Sequence, residues 1–167
     1  QIGLAMAKEK EGELLALHIH EVPPSLPLDV AFNSEQEKRI LNAIEDGATR
    51  QKSNVETRIV SARSVSDTIL ETIRVEDGDL LVMGWNGYID TKGFIFGKKV
   101  DTMLHRAKCD LVVAKIRPPA SIRKIFIPVP VDKNPNLRFT GMVASALAKC
   151  YGATVTVGMV VPEATRN

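Results

Sequence analysis

The stretch Asp79-Leu-Leu-Val-Met-Gly84-Trp-Asn-Gly87 decides the fold of this chain, together with Gly97 after nine further residues. The four apolar residues between Asp79 and Gly84 are typical of a parallel strand that is covered on both faces. Glycines follow where this strand ends, and glycine lets backbone N–H groups approach an anion because it has no Cβ. Ligands of open α/β sheets bind beyond the carboxyl ends of the strands. The stretch therefore predicts a turn that binds phosphate.

A helix is predicted to begin just after Gly97. Its apolar residues lie on one stripe, at Val100, Met103, Leu104 and Ala107, as expected for an amphipathic helix that covers a sheet. The N-terminal amides and the positive end of the helix dipole would face the same crevice as the first turn. The two turns together predict a site for a nucleotide polyphosphate.

The better-known phosphate-binding motifs do not fit this chain. A Walker A motif needs four residues between its first glycine and Gly-Lys, followed by Ser or Thr for magnesium. Here Gly93 and Gly97 are separated by three residues and Lys99 follows, and no GxGxxG occurs. The spacing that is present, GxxG, nine residues, then Gly and one more residue, resembles the ATP-binding motif of the universal stress protein family.

This resemblance extends over most of residues 1–117. The segments 14–18, 54–60 and 110–116 look like the family's second, third and fifth strands. The implied fold is α/β, a three-layer open parallel sheet with the strand order 3-2-1-4-5. The turn from Met83 to Gly87 and the partial second copy make the chain more similar to the stress-protein-like cytoplasmic domains attached to amino acid permeases. The resemblance thus implies a cytoplasmic location, with a tether to the membrane through a parent transporter.

A repeat divides the chain. A helix pattern that ends at Gly12 and leads into an apolar strand recurs before Gly152, an offset of 152 minus 12, or 140 residues. A later segment, 124–129, looks like the family's first strand, and nothing equivalent precedes the first helix. The predicted divisions are a first copy without its first strand at 1–117, a linker at 118–123 and the start of a second copy at 124–167.

The absent first strand would be central in the sheet, so strands two and four would each face a gap. Residues of a parent protein, fold-back of 124–129, or the same segment of a second molecule could fill it. Fold-back spans about 20 Å, and the seven residues 117–123 reach at most about 23 Å along a path that two prolines stiffen. We therefore expect a homodimer or tandem pseudo-dimer, formed by exchange of 124–129 or through the edge of strand 110–116.

Composition is that of an ordinary globular domain, with 167 residues, 44% hydrophobic and 25% charged. Lys plus Arg exceed Asp plus Glu by only 22 minus 20, so charge predicts neither nucleic acid nor a membrane surface as partner. The two cysteines form no CxxC, which suits a reducing compartment and argues against zinc. No apolar stretch approaches the roughly 18 residues that span a bilayer.

The resemblance assigns the nucleotide site residue by residue. Gly84, Gly87 and Gly97 occupy the glycine positions of the motif. Lys98 stands where the family has Ser or Thr, which exchanges a hydroxyl contact for a positive charge. The implied ligand is ATP or AMP, with or without magnesium. The alternative is that the glycines only form tight turns.

Three more residues complete the predicted nucleotide site. Trp85 could stack on a base or sugar, or it could pack under the glycine turn. Val129 ends the segment that looks like the family's first strand. Asp132 resembles the acidic residue that follows this strand and contacts the nucleoside, although Pro130 and Val131 displace it by two positions.

No catalytic or metal site is predicted, and an enzyme is not expected. His18 and His20 share one face of a strand, but no third ligand is spaced to join them. The sequence lacks a GxSxG elbow, a paired-carboxylate signature and an activated cysteine. Two functions stay open: a regulatory domain that senses nucleotide, and a nucleotide-free assembly module of the same fold.

Overall fold

The computed structural model describes residues 2–29, 35–51, 53–87, 93–115, 122–130 and 134–160. Its helices are α1 (Ile2–Lys10), α2 (Glu35–Gln51), α3 (Val65–Val75), α4 (Lys98–Arg106) and α5 (Leu137–Tyr151). Its strands are β1 (Leu14–Glu21), β2 (Val55–Ala62), β3 (Leu80–Gly84), β4 (Asp110–Ala114), β5 (Lys124–Pro130) and β6 (Thr154–Val160). The chain forms two compact units: a larger unit, Leu15–Pro118, and a smaller unit, Gln1–Leu14 with Pro119–Asn167.

The larger unit carries two pairs of strands. β1 lies beside β2, and β3 lies beside β4. β3 and β4 run parallel, with Leu80 opposite Asp110 and Gly84 opposite Ala114. Because the two strands end together, the residues that follow Gly84 lie next to those that follow Ala114.

Helix α4 buries only part of its predicted stripe. Val100 and Met103 are 5% and 1% exposed, whereas Leu104 is 49% exposed. Leu104 lies about 100° around the helix from Met103, at the margin of the apolar face. The start of α3 is capped, because the Ser64 side chain accepts the Asp67 backbone N–H at 3.3 Å.

The smaller unit contains the parallel pair β5–β6, on which α5 packs. Helix α1 packs on α5, and the Lys149 ammonium donates to both carboxylate oxygens of Glu9 at 2.7 and 2.9 Å. Glu9 and Lys149 are 140 residues apart, which is the offset of the sequence repeat. The ion pair therefore joins two positions that the predicted repeat would make equivalent.

The α/β class with parallel strands is confirmed. If β1 to β4 are numbered as the family's strands two to five, and β5 and β6 as its strands one and two, each observed pair occurs in the order 3-2-1-4-5. The complete order, the three layers and the division into copies stay predictions. Residues 116–121, which include most of the predicted linker, lie outside the described residues. No helix in the described ranges is both long enough and apolar enough to cross a membrane.

Candidate nucleotide site

Two glycine turns follow strand β3 in the larger unit. The first turn, residues 84–87, leaves β3 directly, and the second turn, residues 93–97, leads into α4. Gly87 and Gly97 have positive φ angles of 86° and 95°, a conformation that favours glycine. Gly84 has no such angle, and a Cβ added there would meet nothing within 4 Å. Backbone conformation therefore explains Gly87 and Gly97 but leaves Gly84 unexplained.

The Trp85 ring joins the two turns. Its backbone N–H donates to the Ala114 carbonyl at 2.8 Å, which continues the pairing of β3 with β4. Its ring meets the Phe96 ring edge-on, with centroids 5.2 Å apart and an interplanar angle of 84°. The indole N–H is buried and has no partner within the described residues. The Trp85 ring thus contacts the second turn from its position in the first turn.

Lys115 was not predicted as a site residue, and it lies across the first turn. Its Nζ is 5.1 Å from the centre of the Trp85 ring, within the range of a cation–π interaction. The same side chain crosses the open side of Gly87, because a Cβ added to Gly87 would collide with Lys115 Nζ and Cε. A lysine placed directly after an apolar strand was the available signal. The signal points to the first turn only when Gly84 is known to lie opposite Ala114.

Asp101 fixes the second turn and is another residue that the sequence reasoning missed. It is 7% exposed, and its carboxylate accepts the Ile95 N–H at 2.9 Å and the Phe96 N–H at 3.2 Å. Because these amides are already paired, they are not open to a phosphate group. The available signal was an acidic residue in the first turn of a helix, where a carboxylate can bind free backbone amides.

Helix α4 begins at Lys98 without a side-chain cap. Gly97 is its N-cap residue, with φ 95° and ψ 155°, and the Gly97 carbonyl accepts the Asp101 N–H at 3.0 Å. The first amides of the helix therefore carry their partial positive charge beside the second turn. Lys98 adds a cationic side chain at the same end.

An ion pair links α4 to β1. The Lys99 Nζ lies 3.1 Å from the Glu21 carboxylate, and the two side chains are 57% and 51% exposed. An exposed pair of this kind contributes about 1 kcal/mol at most. It connects the carboxyl end of β1 with the start of α4.

Residues 1–115, which include both turns, α4 and β4, match the profile of the universal stress protein family. The chain belongs to the universal stress protein family. The resemblance inferred from the glycine spacing is therefore confirmed. The two turns described above lie within the part of the chain that matches the family.

Relatives of this domain include a transporter. The Na(+)/H(+) antiporter NhaS5 of Synechocystis sp. (strain ATCC 27184 / PCC 6803 / Kazusa) is 25% identical over 172 residues, which is 99% of this chain and 24% of the antiporter. Two solved structures share 19% identity and a TM-score of 0.57, covering 92% of this chain and 52% of theirs. They are a protein of unknown function from Pseudomonas aeruginosa PAO1 and a candidate universal stress protein from Pseudomonas aeruginosa UCBPP-PA14. Their likeness shows the fold, and this chain spans about half of their length.

The predicted site residues of this universal stress protein domain divide between the two units. The larger unit contains Gly84, Trp85, Gly87, Gly97 and Lys98. Val129 lies in β5 of the smaller unit, and Asp132 lies outside the described residues. The roles of Val129 and Asp132 therefore stay predictions.

A cavity of about 410 Å³ lies between the second turn and α4. Its helical wall includes Asp101, His105 and Arg106. Arg106 is already paired with Asp67 of α3, at 3.0 Å. Within the described ranges, no group of three or more His, Cys, Asp or Glu residues is arranged to hold a metal ion.

Proposed function

We propose that this domain binds ATP or AMP at its two glycine turns and uses the bound nucleotide as a regulatory signal. The observation that carries the proposal is the contact between the turns, in which Trp85 packs on Phe96. The contact links the turn that contains Gly87 to the turn that contains Gly97, and both glycines have positive φ angles. Glycine-rich backbone suits phosphate, because its N–H groups can approach the oxygens without a Cβ in between.

Positive charge around the turns supports an anionic ligand. Lys98 stands at the start of α4, where the helix dipole also favours an anion, and Lys115 lies across Gly87. The buried indole N–H of Trp85 lacks a partner within the described residues, and a buried indole normally has one. A ligand oxygen would satisfy this donor. Several cationic groups favour several phosphates, so we place ATP ahead of AMP, with or without magnesium.

The regulatory part of the proposal rests on the antiporter relative. Its identity of 25% extends over 99% of this chain, so we propose that the domain is attached to a transporter and lies on the cytoplasmic side of the membrane. An amino acid permease and a cation antiporter are both suitable parents. Nucleotide would regulate transport only if it binds one arrangement of the parent protein more tightly than another.

The proposed domain has a complete sheet of order 3-2-1-4-5 and no catalytic activity. A tandem copy, a parent protein or a second molecule supplies the central strand in this proposal. The sequence carries no GxSxG elbow, paired-carboxylate signature or activated cysteine, so the proposal includes no chemical step.

Titration of the purified chain with ATP, AMP and adenosine tests the proposal. Trp85 is the sole tryptophan, so its fluorescence reports from the site. Gly97→Glu places a carboxylate among the phosphates and should abolish binding. Gly97→Ala is the matched control, since it imposes the same backbone strain without a charge. ATP binding that survives in Gly97→Ala and is lost in Gly97→Glu supports the proposal, whereas a folded wild-type chain that binds neither nucleotide refutes it.

The second candidate function, a nucleotide-free assembly module, is favoured by the outer edge of β4. In the described part of the chain β4 pairs with β3 alone, which leaves its other edge open to a strand of another chain. The Asp110 N–H donates to the Asp79 carbonyl, and the Ala114 carbonyl accepts the Trp85 N–H. Backbone groups alternate in direction along a strand, so those of Val113 point towards the open edge of β4. Val113→Pro should abolish self-association, measured by sedimentation, if the edge is the interface; unchanged association would exclude it.

A further inference from the structure

We propose that Lys115 is the cation that contacts the phosphate chain at the first turn and makes the site selective for polyphosphates over uncharged nucleosides. This proposal deepens the proposed function and rests on it for the identity of the nucleotide. The phosphate contact itself can be tested with an anion that carries no base. Lys115 lies outside the glycine motif, so the motif alone does not indicate it.

The position of Lys115 follows from the pairing of β3 with β4. Gly84 lies opposite Ala114, and the Trp85 N–H donates to the Ala114 carbonyl at 2.8 Å. Lys115 follows the last residue of β4 directly, so its side chain starts beside the first turn. The side chain then crosses Gly87 and reaches the Trp85 ring, with Nζ 5.1 Å from the ring centre. The ring limits the directions that this flexible side chain can take.

Gly87 has a second reason to be glycine in this arrangement. Its φ of 86° favours glycine, and the absence of a Cβ also leaves room for the Lys115 ammonium. An ammonium only donates hydrogen bonds, as do backbone N–H groups. The ammonium and the N–H groups of the turn can therefore donate hydrogen bonds to the same acceptor. A phosphate oxygen can accept from both, and its negative charge strengthens each bond.

Lys98 supplies a second cation, at the other glycine turn. Where the family has a hydroxyl after the last glycine, this chain has Lys98 at the first position of α4. Lys98 and Lys115 then present two cations, one at each glycine turn. A chain of phosphates can reach both turns, whereas adenosine carries no charge to attract either cation.

Equilibrium binding of sodium tripolyphosphate, ATP and adenosine to full-chain variants tests this role. Lys115→Met should weaken tripolyphosphate and ATP roughly tenfold to a hundredfold, the effect of losing one charge-assisted hydrogen bond. Lys115→Arg should restore most of the affinity, and adenosine binding should not change. Lys108→Met is the matched control, because it removes the same charge at the opposite end of β4. Circular dichroism establishes that each variant is folded.

The outcomes separate this proposal from the proposed function. If Lys115→Met binds ATP as wild type does while Gly97→Glu does not bind it, the role of Lys115 is refuted and the nucleotide site stands. If tripolyphosphate binding depends on Lys115 but ATP does not bind, Lys115 is confirmed as an anion contact and the nucleotide fails. Tighter binding by Lys115→Met would show that the lysine blocks the turn and refute the proposal. If neither probe binds the wild-type chain, both are refuted.

An independent observation in the smaller unit carries a second proposal. We infer that the α1–α5 interface is formed for two different copies of the domain and not for two identical ones. Glu9 and Lys149 occupy equivalent positions, 140 residues apart, and form an ion pair at 2.7 Å. Two identical copies meeting at this place would bring together two glutamates or two lysines. Like charges in contact oppose association.

The sizes of buried residues agree with this inference. Leu4 and Met6 of α1 are 3% and 2% exposed. The positions 140 residues later in α5 are Ala144 and Ala146, which are 5% and 2% exposed. Each of these two buried positions therefore has a large side chain in α1 and a small one in α5. Identical copies would place two large or two small side chains there, which costs stability through overpacking or cavities.

Charge reversal at Glu9 and Lys149 tests the second proposal in the full chain. Glu9→Lys and Lys149→Glu should each lower the Tm by about 1–3 °C, and the double reversal should regain most of it. The difference in Tm between wild type and each single variant should shrink at high salt, because salt screens exposed charges. Glu13→Lys is the control for a charge change in the same unit. A double reversal that stays as low as the single variants would refute the inference.

Discussion

Replacing Asp101 by alanine should release the second turn and destabilise the larger unit by about 2–4 kcal/mol. The Asp101 carboxylate accepts the Ile95 and Phe96 amides at 2.9 and 3.2 Å, and a hydrogen bond to a charged group contributes about 1.5–3 kcal/mol. Two such bonds would sum to at most about 6 kcal/mol. Ile95 is 70% exposed, so water can replace part of the lost hydrogen bonding. The expected cost is therefore about 2–4 kcal/mol and not about 6 kcal/mol.

Urea unfolding followed by Trp85 fluorescence measures this cost. Trp85 belongs to the larger unit and touches Phe96, so its emission should also change in the folded Asp101→Ala variant. Asp101→Asn is the matched variant, because it keeps one acceptor oxygen and the same shape. It should retain about half of the stabilisation, since an uncharged acceptor bonds less strongly.

The affinity of the Asp101→Ala variant for ATP tests whether the Asp101 contact with the second turn also matters for nucleotide binding. If Asp101 holds Phe96, and Phe96 holds Trp85, then release of the second turn should weaken ATP binding as well as stability. A cost below about 0.5 kcal/mol for Asp101→Ala, the usual range of a surface substitution, would refute this reasoning. Equal costs for the alanine and asparagine variants would show that packing, and not hydrogen bonding, holds the turn.

Two further predictions concern backbone strain and acid stability. Gly141→Ala should stabilise α5 by about 0.5–1 kcal/mol, because Gly141 is a helical residue with open space around a Cβ, whereas Gly97→Ala should cost about 1–3 kcal/mol; equal signs in urea unfolding would contradict this contrast. The hydrogen bond from Ser64, and then the Arg106 guanidinium, hold the pKa of Asp67 below its ordinary value. The resulting stability is present above the ordinary carboxyl pKa and lost as the pH falls through the lowered one. The advantage of wild type over Asp67→Asn should therefore vanish in acid, and a difference that stays constant across the titration would exclude the pairing.

The strands and the glycine turns could be predicted because their signals are local. The apolar run before Gly84 predicts β3, which the structure places at Leu80–Gly84. The left-handed conformations of Gly87 and Gly97 are properties of single residues. The family spacing adds the relation between the two turns. A short window of sequence contains all of this information.

The contacts that fasten the site could not be predicted, because each depends on an arrangement in space. Lys115 reaches Gly87 only because β3 and β4 pair in one particular register. The Asp101 carboxylate can accept the amides of the second turn only because the residues before α4 fold back against the helix. The sequence left two roles for Trp85 because nothing local shows that Phe96 is its neighbour.

The backbone of β5 bears on the predicted insertion of segment 124–129 between β1 and β3. The Thr154 N–H donates to the Arg123 carbonyl at 3.0 Å, and backbone groups alternate along a strand, so Pro128 and Pro130 face the edge away from β6. Proline has no backbone N–H. The two prolines therefore remove no hydrogen bond between β5 and β6, but they remove two N–H donors from the other edge of β5. In the described residues β1 pairs only with β2, and β3 only with β4. A strand inserted between β1 and β3 needs two competent edges. Because β5 is paired with β6 in this structure, the predicted exchange of 124–129 would require that pair to break.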